Sequence, residues 1–203
     1  MSTGSLFEPD LPAGFAYRDD FLAPDEETQL IQQIERIEFS TFEMHGTAAR
    51  RRVAFYGSAY DAGRAVTLEL PEFLLPLRDR LAAWAGLESQ AFGMALINQY
   101  PAGAPIGWHR DAPQYEMVAG VSLLSACRMT FRPYVRPGAR GSTPGIRRTA
   151  THEIMLARRS AYLMRGEARS AYEHHIPPVA ELRYSITFRT LRPPSARGGD
   201  RLR

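Results

Sequence analysis

Between Arg183 and Arg189 the chain alternates without a break. Arg183, Ser185, Thr187 and Arg189 are polar, and Tyr184, Ile186 and Phe188 between them are apolar. Residues two apart on a β-strand share a face, so the segment reads as a strand with one face packed on protein. The other face carries an arginine at each end, about 20 Å apart at ~3.3 Å per residue. Guanidinium forks leaning inward from both ends suit a small dicarboxylate. An edge strand with two solvated arginines gives the same pattern.

The second half of the chain keeps this short-strand rhythm. Candidate strands cover 92–100, 117–124, 128–134, 151–157, 160–165, 171–176 and 182–191, separated by turns. Such a series suits a sandwich or jelly roll. The first half reads differently. Pro24-Asp25 opens a helix over 25–38, with Leu30, Ile31, Ile34 and Ile37 on one stripe. Its acids fall in the first turn, where the helix dipole favours them. A second helix over 71–85 carries Phe73, Leu74, Leu77, Leu81 and Trp84. Residues 1–24 read as an irregular arm, 137–145 as a loop and 193–203 as a basic disordered tail. At 203 residues, one α+β, mainly β domain over 1–192 is expected, with its core in 91–192.

His109 and Asp111 are two apart and would share one face of an extended strand, with Arg110 pointing away. His174 comes much later and belongs to another strand or turn. Two imidazoles and one carboxylate form the ligand set of a non-haem iron(II) facial triad, which leaves positions open for a cosubstrate and dioxygen. Zinc suits the same three ligands. A hydrogen-bonded histidine followed by a turn residue before Pro113 also fits the tripeptide alone. His174 and His175 compete for the third position, and neighbours on a strand face opposite sides. Asn98 and Tyr100 share a face just upstream. They offer an amide and a phenol to the same cavity, or end a strand as ordinary half-buried polar groups.

Taken in order, Asn98-x-Tyr100, His109-x-Asp111, His174 within His-His-Ile-Pro-Pro, and Arg183 with Arg189 six residues on resemble the AlkB-type 2-oxoglutarate- and iron(II)-dependent dioxygenases. The likeness spans residues 91–192, with scattered similarity over 44–56. It implies a double-stranded β-helix (jelly-roll) core with flanking N-terminal helices and a substrate lid within 15–90. It implies that His109, Asp111 and His174 bind Fe(II), since the family's His-x-Ile pattern selects His174 over His175. Asn98, Tyr100, Arg183, Ser185 and Arg189 would hold 2-oxoglutarate, with Arg183 on the carboxylate distant from the metal and Arg189 near it. Ser185 stands where family members often carry Asn. With O2 as co-reactant, the implied reaction is oxidative demethylation of an alkylated nucleobase in DNA or RNA. 2-Oxoglutarate becomes succinate and carbon dioxide, and the methyl leaves as formaldehyde. Pro113 departs from the well-known bacterial alkylation-repair member, which has an acidic residue there that helps read the base. The same chemistry on a protein side chain or a small molecule is therefore the alternative.

Composition bounds the partners. Hydrophobic residues make up 44% of the chain, which suits a globular fold. All 25 basic residues are arginine, so every cation can make forked contacts to phosphate or carboxylate. Residues 1–47 hold ten acids and two arginines, and 128–169 hold ten arginines and two acids. A basic half suits nucleic acid, although two opposite halves can also neutralise each other. Arg50-Arg51-Arg52 beside Phe55 and Tyr56 can grip phosphate and stack a base, or form a solvated loop with packed rings. A flipped base needs stacking partners, so Arg51, Phe55, Tyr56 and Trp108 are candidates for substrate contact. The single Cys127 excludes an internal disulfide. Apolar runs fall short of a membrane span, and the first ten residues lack a signal peptide's pattern. A monomeric cytoplasmic enzyme is the expectation.

Overall fold

The computed structural model describes residues 11–44, 47–61, 64–135 and 151–192. The expected loop at 137–145, the tail at 193–203 and the first ten residues of the arm lie outside the described residues. In chain order the elements are β1 (Phe15–Arg18), α1 (Pro24–Ile34), β2 (Ser40–Met44), β3 (Thr47–Asp61), β4 (Arg64–Leu68), α2 (Leu75–Ala85), β5 (Met94–Tyr100), β6 (Ile106–His109), β7 (Tyr115–Leu123), β8 (Cys127–Pro133), β9 (His152–Leu156), β10 (Ala161–Met164), α3 (Gly166–Ser170), β11 (Tyr172–Ile176) and β12 (Arg183–Leu191). A major sheet runs β1-β10-β7-β12-β5-β3-β2, with β4 on β3, and a minor sheet runs β6-β11-β8-β9. All the strand pairs are antiparallel. This is the expected mainly β jelly roll with helices on one side.

The two faces of the major sheet have different partners. Ala95, Ile97, Ala119, Val121, Ile186 and Phe188 pack on Leu30 and Ile34 of α1 and on Leu77, Leu81 and Ala85 of α2. Ile34, Leu81, Ile186 and Phe188 are fully buried, each worth about 1.5–3 kcal/mol relative to exposure. The opposite face looks at the minor sheet. There Tyr100, Val118, Tyr162 and Met164 meet Met129, Phe131, Ile154 and Ile176. Between the sheets the packing opens into a cavity. No helix among the described residues is long and apolar enough to cross a membrane.

Several elements differ from expectation. The first helix ends at Ile34 rather than 38, because Glu35 to Ile37 close into tight turns onto Ile31, Gln33 and Ile34. The expected helix over 71–85 starts as a 3-10 turn at Glu72–Leu74 and becomes α-helical from Leu75. The presumed arm contributes β1, which pairs with β10. The span 40–68 forms β2, β3 and β4, strands that were not among those expected, and β3 joins the major sheet beside β5. The run Arg50-Arg51-Arg52-Val53-Ala54 hides this strand, because an arginine sits on each face of it. Gly57 has φ +87, and a side chain there would strike the Gly93 carbonyl, so the close β3–β5 approach requires glycine.

Candidate active site

The register of β12 sets the site. Arg183 lies opposite Tyr100, Ser185 opposite Asn98 and Arg189 opposite Met94. The polar row predicted from alternation therefore faces inward beside the inward row of β5. It is buried rather than solvated: Arg183 is 1% exposed and Arg189 9%. The edge-strand alternative fails because β12 lies between β7 and β5.

His109 and His174 are brought together by strand pairing. They are direct partners across β6 and β11, with ring centroids 4.3 Å apart. Asp111 lies just past the end of β6, and its Oδ2 stands 3.9 Å from His174 Nε2. Because β6 ends at His109, alternation does not extend to Arg110, which turns to the cavity rim instead of away. There it stacks on Tyr134 at 3.5 Å and donates to the Ser170 carbonyl at 3.0 Å. His175 takes the opposite face of β11 from His174, with its ring 4.0 Å from Trp108.

A cavity of about 490 Å³ joins these groups, a size suited to a small molecule. His109, Asp111, His174, Asn98, Tyr100, Arg183, Ser185, Arg189, Arg51 and Phe55 all line it. Two substrate candidates do not, and both are corrections. Tyr56 packs against the helix-side core. Trp108 lies outside the minor sheet, under the Arg132 guanidinium at 4.1 Å. Tyr56 is one residue out of phase with Arg51 and Phe55, and on β6 a register shift between Ile106 and His109, which both line the cavity, turns Trp108 outward. Phe55 is in phase and 37% exposed at the mouth.

Hydrogen bonds fix the two ends of the polar row. Arg183 Nε donates to Ser122 Oγ at 3.0 Å, and the guanidinium lies 5.1 Å from the Tyr100 ring. Its Nη1 is buried with no hydrogen-bond partner among the described residues. A buried, fully charged donor without an acceptor is costly, so this end is built for an anion. At the other end Arg189 gives Nε and Nη2 to Asp111 Oδ1 at 3.1 and 3.0 Å, and Nη1 to Thr187 Oγ1 at 3.1 Å. Between them Asn98 accepts from Arg51 at 2.6 Å and donates to Ser185 at 3.3 Å.

The electrostatics suit metal ligation. Burial pushes the His174 imidazolium down to about 3, helped by the neighbouring His109. Burial likewise lowers His109. Both rings are therefore neutral, the form that binds a metal. His109 Nδ1 lies 2.9 Å from the Gly107 carbonyl. Donation there leaves Nε2 as the acceptor and fixes the ring. Burial alone would raise Asp111, but the Arg189 guanidinium beside it, with Arg169 further off, holds it well below the usual carboxylate range. Among the described residues no three His, Cys, Asp or Glu side chains are drawn as tightly as a bound ion would hold them. Oδ1 of Asp111 is turned to Arg189, and Oδ2 stays towards His174. The donor set fits a divalent ion with open positions, and the orphaned Arg183 Nη1 fits a carboxylate beyond it.

Arg169 was not legible in the sequence. It sits on α3, five residues before His174, and donates through Nη2 to the Ala112 carbonyl next to Asp111. It thus ties the element leading to His174 to the segment carrying Asp111.

A jelly roll with two imidazoles and a carboxylate facing a buried arginine row is the frame of a metal-dependent oxygenase. The chain belongs to the 2OG-Fe(II) oxygenase superfamily, whose family model matches residues 14–189. It is therefore an oxidoreductase of a family that uses Fe(II), 2-oxoglutarate and O2. Within the family it is AlkB-like. It is 28% identical over 175 residues to the Arabidopsis thaliana "Alkylated DNA repair protein ALKBH8 homolog", covering 78% of this chain and 49% of that protein. The chain thus spans about half the length of that relative. It is 24% identical to the Danio rerio "Probable RNA/DNA demethylase ALKBH6", covering 84% of this chain and 72% of that protein. Among solved structures, OsALKBH1 superposes with a TM-score of 0.62 at 15% identity, covering 92% of this chain and 100% of that one. A Trichoplax adhaerens prolyl hydroxylase superposes at 0.61 and 15% identity, covering 88% and 83%.

Proposed function

We propose that this chain oxidatively demethylates alkylated nucleobases in DNA or RNA. His109, Asp111 and His174 would hold Fe(II), and Asn98, Tyr100, Arg183, Ser185 and Arg189 would hold 2-oxoglutarate. The observation that carries the assignment of the site is the shared cavity, with the His109–His174 pair and Asp111 at one end and the buried, anion-seeking Arg183 at the other. The iron, with its cosubstrate and O2, supplies the oxidation. The protein's own part is binding and exclusion. Arg183 takes the distal carboxylate of the diacid. Arg189 holds Asp111 ionised and aimed. Met94, Leu96, Ile106, Val118, Met129 and Ile176 wall the cavity with apolar surface.

The nucleic-acid target is supported by the names of two relatives and by the mouth of the cavity. Phe55 offers there a half-exposed ring that suits a flipped base, while Arg51 lines the cavity deeper in, buried and donating to Asn98. A protein side chain is the second reading. It is favoured by the prolyl hydroxylase likeness and by Pro113, which offers no side-chain acceptor beside the metal site.

Incubation with Fe(II), 2-oxoglutarate and methylated DNA, RNA or peptides is expected to release formaldehyde from an oligonucleotide. Affinity for that oligonucleotide should fall steeply with added salt. Formaldehyde from methylated peptides alone, or succinate formed only with a peptide and without formaldehyde, would transfer the function to the second reading. Independently, Arg183→Met is expected to raise KM for 2-oxoglutarate on the order of 10²-fold, since a buried charged partner is lost. An unchanged KM would remove Arg183 from the cosubstrate site.

A further inference from the structure

We propose that the target of this site is a methylated base without net charge, such as N6-methyladenine or N3-methylthymine. The cavity selects against cationic bases such as N1-methyladenine and N3-methylcytosine, and Gln114 is the residue that meets the base edge. This rests on the reading of the chain as a nucleobase demethylase.

The observation is the charge of the lining. Arg51, Arg110, Arg183 and Arg189 line the cavity, and among the described lining residues the only carboxylate is that of Asp111. That carboxylate is engaged already, with Oδ1 on Arg189 and Oδ2 towards His174. Glu116 is the next acid along the chain, but it does not line the cavity and pairs with Arg192 at 2.7 Å. Arg169 brings a further guanidinium to the Ala112 carbonyl beside Asp111. A divalent ion and the doubly charged 2-oxoglutarate cancel each other, so the loaded cavity keeps its excess of positive charge. A cationic base would leave water for a space walled by like charge, which a neutral base does without that penalty.

The proton balance points the same way. Either class of base consumes one O2 and one 2-oxoglutarate and loses its methyl as formaldehyde. On a neutral base a hydrogen takes the place of the methyl. On a cationic base the ring nitrogen is left bare and a proton is released, which calls for an acceptor, and no free carboxylate lines the cavity to take it. Gln114 stands there instead. It lines the cavity, is exposed, and lies between Asp111 and β7. Its carbonyl accepts the Arg192 amide at 2.7 Å, which fixes the backbone that carries it. The amide side chain offers donors and an acceptor without charge, the match for the mixed edge of a neutral base. Pro113 beside it has no polar side chain. The half-exposed Phe55 ring is available to both classes of base and does not discriminate.

The test uses single-stranded oligonucleotides of one sequence, each carrying one of the bases named above. Fluorescence anisotropy reads their affinity for the protein loaded with Mn(II) and 2-oxoglutarate, and formaldehyde release with Fe(II) reads kcat/KM. The wild type is expected to favour the neutral bases over the cationic ones about tenfold or more in both measurements. Gln114→Glu, which sets a carboxylate at the mouth, is expected to raise kcat/KM for the cationic bases about tenfold and to lower it for the neutral ones. A fault in folding would lower all of them together, so movement in opposite directions isolates the charge at this position. Equal or faster turnover of the cationic bases by the wild type would overturn this proposal and leave the demethylase reading standing. No formaldehyde from any of the oligonucleotides, with 2-oxoglutarate still bound, would remove that reading and this proposal with it.

Discussion

Replacing His174 by alanine is expected to abolish succinate and formaldehyde formation and to weaken Mn(II) binding on the order of 10²-fold or more. Replacing His175 by alanine is expected to leave both largely intact. The two imidazoles are adjacent in sequence but face opposite sides of β11. His174 is 7% exposed, held between the His109 ring at 4.3 Å and Asp111 Oδ2 at 3.9 Å. His175 stacks on Trp108 on the outer face of the minor sheet. Any general disturbance of β11 would move both variants alike, so the contrast between them isolates ligation from stability. Loss of metal binding in His175→Ala with retention in His174→Ala would reverse the ligand assignment.

The largest expected effect on stability comes from a residue far from the cavity. Glu27 in α1 is fully buried, yet its carboxylate accepts the Leu124 amide at 2.8 Å and Arg158 Nε at 2.7 Å, with Arg159 Nη1 at 3.8 Å. Leu124 and Arg159 have φ of 69 and 65, a left-handed conformation that costs a non-glycine residue energy. Glu27 therefore clips two strained turns, after β7 and before β10, to the helix that covers the sheet. Glu27→Ala is expected to cost about 3 kcal/mol, since it strands a buried donor and unpairs two arginines. For a chain of this size that lowers Tm by roughly 6–12 °C. Glu27→Gln keeps an acceptor for the Leu124 amide and should fall between the two. Thermal denaturation followed by circular dichroism measures this, and an unchanged Tm for Glu27→Ala would show that the clip carries no stability.

Glu27 also shows where the sequence stops being readable. As one of three acids in the first turn of a helix, it looks like an ordinary partner for the helix dipole. Glu26 caps its own helix, accepting the Ala23 amide at 2.8 Å, and meets Arg80 of α2 at 3.0 Å on the exposed side. Glu27, one position on, turns inward to arginines more than a hundred residues away. Nothing local separates the two. Arg169 was unreadable for the same reason. The same gap misplaced Tyr56 and Trp108, whose phase on strands β3 and β6 could not be set before those strands were known.

What the sequence determined alone was periodic and local: the alternation that makes β12, the apolar stripes of the two helices, and the spacing that puts His109 near Asp111. Those patterns also sufficed to recognise the family and its mainly β fold. Which face of each strand looks into the cavity was decided only by tertiary pairing. His174 meets His109 because β11 pairs with β6, and Arg183 meets Tyr100 because β12 pairs with β5. A shift of one residue in either register would turn every inward side chain outward. Register between distant strands depends on how the whole core packs, and no short stretch of chain contains that information.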